Sequence, residues 1–423
     1  MLIEFSVRNF RSIRETQTFS FAAGTGKERQ AENTFDPELP STPRLLRAAA
    51  IYGANAAGKS NLVNTLAFVR DFVQTSASKA QEGDLIPVTP FRLDPETQQD
   101  ASEFEIVFAE EGVRYQYGFA VTRERVMEEW LYAWPAGKSQ RWFQRDYDPE
   151  AETYHWHFGP NFRGQKKVLE GATRANALFL STAVQLNNEQ LQPVYRWFSG
   201  RLVVIRAHGG FPSPCRDYTV QQCRDDAERQ RIVQLLQVAD LGIDDLKVET
   251  KFVVEEEELP ADVTSNLGVA FVNREVHRPL FQHTVGDGES SVSFELHDES
   301  DGTQNFFSLA GPWLYSLDKG MVMVMDELDA SLHPLLVRFL VSTLHSSETN
   351  PHNAQLLFTT HSVTLMEGDL LRRDQIWFVE KGQDRATHLF PLTDFSPRKG
   401  EAILRGYLHG RYGALPILRE LAH

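Results

Sequence analysis

The chain has 423 residues, 41% of them hydrophobic and 11% aromatic, and a formal net charge of −15. That is enough apolar material for two or three packed lobes, and the acidity argues against a general nucleic-acid coat protein, leaving any DNA contact local. No apolar run approaches the roughly 18 residues of a membrane span, the only cysteines are Cys215 and Cys223, and the opening segment does not read as a signal peptide, so a cytoplasmic protein is expected.

At the start, Ile3, Phe5 and Val7 alternate with Glu4, Ser6 and Arg8, the period of a half-buried strand. Residues 24–43 are polar and read as a surface excursion. Leu45 to Tyr52 is an apolar run fit for a buried strand, and Gly53-Ala54-Asn55-Ala56-Ala57-Gly58-Lys59-Ser60 follows it, a full P-loop pattern. Leu62, Leu66, Val69 and Val73 then recur at helical spacing, predicting a helix over 61–78. Strand, glycine loop and helix together aim backbone N–H groups and a helix N-terminus at a polyphosphate. Lys59 is expected to reach the β- and γ-phosphates and the Ser60 hydroxyl to bind Mg²⁺; Gly53, Asn55, Gly58 and Asn61 complete the expected nucleotide-binding set.

From 102 to 160 the period changes to two. Phe104, Ile106 and Phe108 alternate with Glu103 and Glu105, Glu110-Glu111-Gly112 is a turn, and Val113, Tyr115, Tyr117, Phe119 and Val121 alternate again, the mark of a hairpin in an antiparallel sheet. Its aromatics suit a half-buried sheet face better than a base-stacking platform. Residues 174–198 and 224–240 read as helices, the second opening at Asp225-Asp226 and stopping near Leu241-Gly242. Cys215 and Cys223, with His208 nearby, are too loosely spaced for a metal site and read as free thiols. Strand patterns return over 246–297 and include the four acids Glu255 to Glu258, an exposed edge or a surface for a basic partner.

Met321 to Met325 is a wholly apolar strand ending in Asp326-Glu327. A strand that ends in solvated acids is common, but beside an intact P-loop the pair fits a Walker B motif. Asp326 is then expected to hold Mg²⁺ through its water shell and Glu327 to polarise the attacking water. Gln355 to Thr360 is a third such strand, capped by His361-Ser362, which places His361 to sense the γ-phosphate.

The Walker A loop, Glu299-Ser300-Asp301-Gly302-Thr303, the Walker B pair, Asp329-Ala330-Ser331-Leu332-His333-Pro334 and His361 stand in the order of an ABC-type ATPase head. The opening Phe5-Ser6-Val7-Arg8-Asn9-Phe10-Arg11-Ser12 and the run Lys59-Ser60-Asn61 resemble the SMC/RecF branch, and Leu332-His333-Pro334 is similar to the D-loop of RecF-like and OLD-like proteins. Tyr115-Gln116-Tyr117-Gly118-Phe119, Ala177-Leu178-Phe179-Leu180-Ser181 and Gly410-Arg411-Tyr412-Gly413-Ala414-Leu415-Pro416 extend the resemblance to the AAA-family "ATP/GTP phosphatase" proteins of bacterial phage-defence loci, of the RloA and AriA (PARIS) type.

The resemblance implies an α/β P-loop NTPase of the ABC-ATPase head type: a mixed central sheet flanked by helices, an antiparallel β subdomain and a compact helical insertion. The expected division is 1–175 (Walker A and the β subdomain), 176–262 (helical, partner-binding) and 263–423 (signature, Walker B, D-loop and switch histidine). It also implies that Arg11 turns towards the nucleotide, that Asp329 lies in the nucleotide interface, and that Ser300 and Gly302 of one protomer close over ATP held by Lys59 of another. Glu327, His361 and Lys59 would be the catalytic set. Two ATP molecules sandwiched in a head-to-tail homodimer, with dimers able to build larger rings, would make hydrolysis a switch.

Two features depart from the wider superfamily. The signature reads Glu-Ser-Asp-Gly-Thr, so only Ser300 and Gly302 carry over, and no Q-loop glutamine can be chosen among Gln98, Gln99 and Gln116. Residues 61–299 contain no sustained heptads and so no coiled-coil arm. No zinc cluster, nucleophile elbow, Toprim pattern or guanine-specificity element is visible, which favours ATP over GTP and places the effector, expected to be a nuclease, on a separate chain. A phage protein or DNA is the expected trigger. A RecF-like DNA-repair or DNA-end-binding ATPase is the second reading and a transporter subunit the third.

Overall fold

The computed structural model describes residues 1–206, 210–239, 241–258, 269–286, 290–367, 370–398 and 401–416. Strands β1 (Leu2–Arg8) and β2 (Gln17–Ser20) open the chain, and a short β3 (Thr34–Phe35) and β4 (Leu45–Leu46) pair precedes β5 (Ala48–Gly53). After the P-loop helix Lys59–Thr75 come β6 (Ser102–Glu110), β7 (Val113–Val121), β8 (Val126–Trp134), β9 (Gln140–Asp148) and β10 (Thr153–Phe158). Strand β11 (Leu202–Arg206) leads to the long β12 (Asp245–Glu258), β13 (Val269–Val285) and the shorter β14 (Ser290–Glu295). Strands β15 (Val322–Asp326), β16 (Gln355–Thr359), β17 (Ile376–Lys381) and β18 (Thr387–Pro391) complete the set.

Contacts divide the chain into two units: Met1–Arg206 with Ser316–Asp329 and Val337–His423, and Ala207–Tyr315 with Ala330–Leu336. The contiguous segments 1–175, 176–262 and 263–423 drawn from the sequence do not coincide with these units. The chain leaves the first unit after β11 and returns to it before β15, so a cut by sequence position cannot follow it.

The first unit holds two sheets. Seven antiparallel strands run in the order β10-β9-β8-β7-β6-β1-β2, and a mixed sheet runs β11-β15-β16-β5-β17-β18, parallel except for the β17–β18 hairpin. The P-loop helix lies in one core with both. Its Leu62, Leu66, Val69 and Val73 are buried as the periodicity predicts, and Phe68 packs on Phe104 and Phe119 of the antiparallel sheet at ring distances of 4.9 and 6.4 Å. This is the mixed α/β architecture with an antiparallel β subdomain that was expected.

A buried ion pair anchors the antiparallel sheet. Glu129 accepts hydrogen bonds from Tyr117 Oη (2.9 Å), Arg145 Nε (3.0 Å) and the backbone N–H groups of Phe179 (2.7 Å) and Leu180 (3.0 Å), and both side chains of the pair are fully buried. Its carboxylate thus satisfies donors at the start of the helix Phe179–Gln185, where the run Ala177 to Ser181 lies.

Three local expectations are corrected. The strand expected over 45–52 breaks at Arg47, because Leu45 and Leu46 pair with β3 while Ala48 onward joins the mixed sheet. The helix expected over 174–198 is two short helices, Phe179–Gln185 and Gln192–Arg196, separated where Asn187 takes a left-handed φ of 62°. The excursion over 24–43 is partly internal: Asn33 is fully buried and donates to Leu370 O (2.8 Å) and Gln375 Oε1 (2.6 Å).

The second unit pairs the helices Ser213–Gln222 and Asp226–Val238 with the antiparallel sheet β12-β13-β14. Its strands fall where the sequence returns to strand patterns over 246–297. The 224–240 helix begins as predicted, with the Asp225 carboxylate accepting the N–H groups of Ala227 and Glu228. Glu255–Glu258 form the end of β12. Burial pushes the thiols of Cys215 and Cys223 up to about 11 and about 12, and His208 lies outside the described residues. Among the described residues there is no cluster of His, Cys, Asp and Glu that could hold a metal, and no helix long and apolar enough to cross a membrane.

Candidate nucleotide site

The parallel strands β15, β16 and β5 lie side by side, so the residues at their C-terminal ends meet at one edge of the mixed sheet, where α/β folds bind ligands. Strand β5, buried along its whole length, delivers Gly53, and the P-loop turns through Ala56 (φ 61°) and Gly58 (φ 114°) into the helix. Both glycines are required by their neighbours. A Cβ on Gly53 would stand 2.3 Å from Val379 O, and one on Gly58 2.1 Å from Thr387 Oγ1.

Lys59 is buried at the first helical position, and its ammonium donates to the carbonyls of Gly53 (2.9 Å) and Ala54 (3.2 Å). Burial pulls its pKa below the usual lysine range, and the carboxylates of Asp326, Glu327 and Asp329 oppose that shift. Three acids from the far end of the sequence therefore bear on the P-loop lysine. Ser60 is the next helical residue, half-buried, and Asn55 is exposed at the loop.

Thr359, fully buried at the end of β16, sets the Walker B geometry. Its hydroxyl donates to Asp326 Oδ1 (2.6 Å) and accepts the Glu327 N–H (2.7 Å), while its carbonyl accepts the Leu328 N–H (3.1 Å). One side chain thus orients Asp326 and pins the turn in which Glu327 takes a left-handed φ of 53°. Asp329 accepts the His361 N–H with both carboxylate oxygens (3.3 and 3.1 Å), which ties the turn after β15 to His361, itself exposed.

Asn61 is held within the protein. Its Nδ2 donates to Ser12 Oγ (2.7 Å), which shares a hydrogen bond with Thr387 Oγ1 (2.7 Å), and Thr387 Oγ1 in turn bonds Ala57 O (2.9 Å). The opening Asn-Phe-Arg-Ser segment is thereby fastened to the P-loop through Ser12. Arg11 is exposed on the rim of two cavities, and burial together with the Arg206 guanidinium lowers its pKa. Among the glutamines considered for a Q-loop, Gln98 donates to Arg92 O (2.9 Å) at the surface.

In the second unit the Ser300 hydroxyl caps the helix Asp301–Lys319, accepting the Thr303 N–H (3.2 Å) and bonding Thr303 Oγ1 (2.9 Å). Gly302 faces the turn at Ser331 (φ 57°), where a Cβ would come within 3.1 Å of Ser331 O. The signature serine is exposed, at the start of a long helix.

Thr359, Ser12 and Thr387 are the site residues that sequence reasoning missed. Thr359 lay inside the Gln355–Thr360 strand assignment, and the only signal was a threonine ending an otherwise apolar strand. The donor set fits a nucleotide and a hard cation. A buried lysine lies beside a glycine loop, and Asp326 Oδ2 carries no hydrogen bond among the described residues.

Residues 48–367 match the family described as "AAA domain, putative AbiEii toxin, Type IV TA system". Among solved structures, the SMC head domain from Thermotoga maritima aligns at 12% identity with a TM-score of 0.40, covering 92% of this chain and 98% of that one. An SMC head bound to the C-winged helix domain of ScpA aligns at 13% identity with a TM-score of 0.38, covering 92% and 96%. No curated protein matches the sequence.

Proposed function

The chain belongs to this AAA domain family, and on that premise we propose that it is an ATP-binding and ATP-hydrolysing switch of a bacterial anti-phage defence system. The observation that carries the reading is the convergence of Asp326, Glu327 and Asp329 on the P-loop lysine, from the end of β15, with β16 between it and the strand that leads into the P-loop. Bound Mg²⁺, held by Ser60 and Asp326, would supply charge neutralisation at the phosphates. Lys59 leaves the carbonyls of Gly53 and Ala54 to pair with the β- and γ-phosphates. Glu327 takes a proton from the attacking water, and the products are ADP and phosphate. His361, steadied through its backbone by Asp329, reports the γ-phosphate.

Ser300, at the exposed start of a helix, suits a phosphate on another protomer, in a head-to-tail pair around ATP. Loss of the γ-phosphate would weaken that pair and release a separately encoded effector, expected to be a nuclease. A family description that names a toxin of a toxin–antitoxin system supports a defence setting. The protein would act in the cytoplasm, and a phage protein or DNA would be its trigger.

The test is to purify Glu327→Gln and Lys59→Ala proteins from the native operon with ATP and Mg²⁺ and to measure complex mass, bound nucleotide and co-purifying proteins. Glu327→Gln should retain ATP, hold a closed pair and carry a neighbouring gene product, whereas Lys59→Ala should lose both nucleotide and pair. A monomer indifferent to ATP in every form would sink the sandwich mechanism.

A further inference from the structure

The signature segment opens on an acid, Glu299, and that acid is gripped from the neighbouring sheet. His283, on β13, stands between two acceptors. Its Nδ1 lies 2.9 Å from Gly242 O and its Nε2 2.7 Å from Glu299 Oε1. Both side chains are largely withdrawn from solvent, His283 at 22% exposure and Glu299 at 9%. Phe294 of β14 packs against the imidazole at a ring distance of 4.8 Å. Strands β13 and β14 thus fix the ring beside the start of the helix Asp301–Lys319.

A carbonyl oxygen and a carboxylate oxygen only accept. Gly242 O therefore takes the Nδ1 proton, and Nε2 meets Glu299 through a second proton that imidazole and carboxylate share. With that proton the contact is a charge-assisted hydrogen bond; without it, a nitrogen lone pair faces an anionic oxygen at 2.7 Å. The other carboxylate near the ring is Asp244. It accepts the Thr284 N–H (2.6 Å), and the Thr284 hydrogen bonds and, in smaller part, His283 lower its pKa. The bond to Glu299 is present while the shared proton is held and is lost as rising pH removes it.

Glu299 passes this constraint to Ser300. Its backbone N–H donates to Leu296 O (3.3 Å) and its carbonyl accepts Gln304 Nε2 (2.8 Å), while Ser300 O accepts the Gln304 N–H (2.9 Å). With its carboxylate on His283, the residue before Ser300 is held through both backbone and side chain. The Ser300 hydroxyl then caps the helix at an exposed position.

We propose that His283 is a positioning residue for the signature, and that the proton shared with Glu299 sets whether Ser300 is held ready to close over a partner's ATP. The acid that sets this signature apart thereby has a function of its own, as the handle by which β13 holds the segment. Under the head-to-tail pairing through Ser300, on which this role rests, the pair is favoured at lower pH and weakens as the bridge loses its proton.

The bridge is read without nucleotide from hydrogen exchange of the Thr303 and Gln304 amides, both accepted by Ser300, and with ATP from pair mass and turnover. Each is measured at about pH 6 and about pH 8.5, with exchange corrected for its intrinsic pH dependence. Wild-type protection should fall about tenfold from the lower to the higher pH, equivalent to about 1.4 kcal/mol. His283→Ala should be unprotected at both. Glu299→Gln should stay protected at both, because its amide donates to the neutral Nε2 and accepts from the protonated one. In turnover, His283→Ala should lower kcat about tenfold with KM for ATP within about twofold. His283→Gln, whose amide still donates to Glu299, should recover most of that loss, with thermal melting to show that each variant is folded. A His283→Ala protein that keeps the wild-type pH profile, or a Glu299→Gln protein whose profile is not flattened, would overturn the role of the bridge. Absence of pairing in every form, with protection still governed by His283 and Glu299, would refute the head-to-tail reading and support the local role of the bridge.

Discussion

Thr359→Val removes one hydroxyl and almost no volume, so its effect can be worked from two hydrogen bonds. The valine leaves Asp326 Oδ1 and the Glu327 N–H without their shared partner, in a position with no exposed surface. A hydrogen bond to a charged group contributes about 1.5–3 kcal/mol, and a buried donor left unmet costs about 1–3 kcal/mol. Roughly 3–5 kcal/mol therefore stops constraining the Walker B turn, and Glu327 relaxes from its left-handed conformation. If about 2.7 kcal/mol of that falls on the placement of the two carboxylates, turnover drops about 100-fold. The P-loop and Lys59 are untouched, so ATP affinity without Mg²⁺ should move by less than about threefold, under 1 kcal/mol. Steady-state ATP hydrolysis and equilibrium nucleotide binding on Thr359→Val and Thr359→Ser separate the two effects, because serine keeps the hydroxyl. Near-normal turnover in the valine protein, or a serine protein as damaged as the valine one, would refute this account of Thr359.

Gly58→Ala should abolish nucleotide binding measured by calorimetry, since φ 114° disfavours any Cβ and Thr387 Oγ1 stands 2.1 Å from where it would lie. Glu129→Leu alone should lose about 3–5 kcal/mol of stability by stranding the Arg145 charge, whereas Glu129→Leu with Arg145→Met should cost clearly less, as thermal unfolding of the single and double variants would reveal. Burial holds His345 at about 3, below its ordinary value of 6.5, so the unfolded chain binds the extra proton first. Its contribution is present above pH 6.5 and lost as pH falls towards 3; His345→Gln should flatten that acid limb in a melting-temperature profile. Cys215 and Cys223 should resist alkylation at pH 8 in the folded protein and react on denaturation, counted by intact mass.

The parts of the fold that could be read from sequence are those whose pattern is local. Leu62, Leu66, Val69 and Val73 mark the buried side of the P-loop helix by spacing alone, and Phe104, Ile106 and Phe108 mark one face of β6 by alternation. Arg47 shows the limit. An apolar run reports burial but not which sheet each half joins, and here the partners of Leu46 and Ala48 belong to different sheets. Glu129 shows it again: on sequence it is one acid in an alternating strand, and its four donors come from β7, β9 and the start of a helix near residue 179.

The candidate site divides along the same line. That Lys59, Asp326 and Glu327 stand near one another is legible because a glycine loop and an acid pair at a strand end are local patterns. Their mutual orientation is set by Thr359, Ser12 and Thr387, whose hydroxyls serve as both donor and acceptor and whose partners lie as far as 375 positions away in sequence. A threonine at a strand end carries no periodic signature, and β-branching makes it an ordinary strand residue. Asn61 makes the same point from the other side. Its place two positions after the P-loop lysine suggests a ligand contact, and in the structure one amide N–H is given to Ser12 Oγ. Motif position predicts which residues stand near the glycine loop; what a side chain does there depends on which neighbours the fold brings within hydrogen-bonding distance.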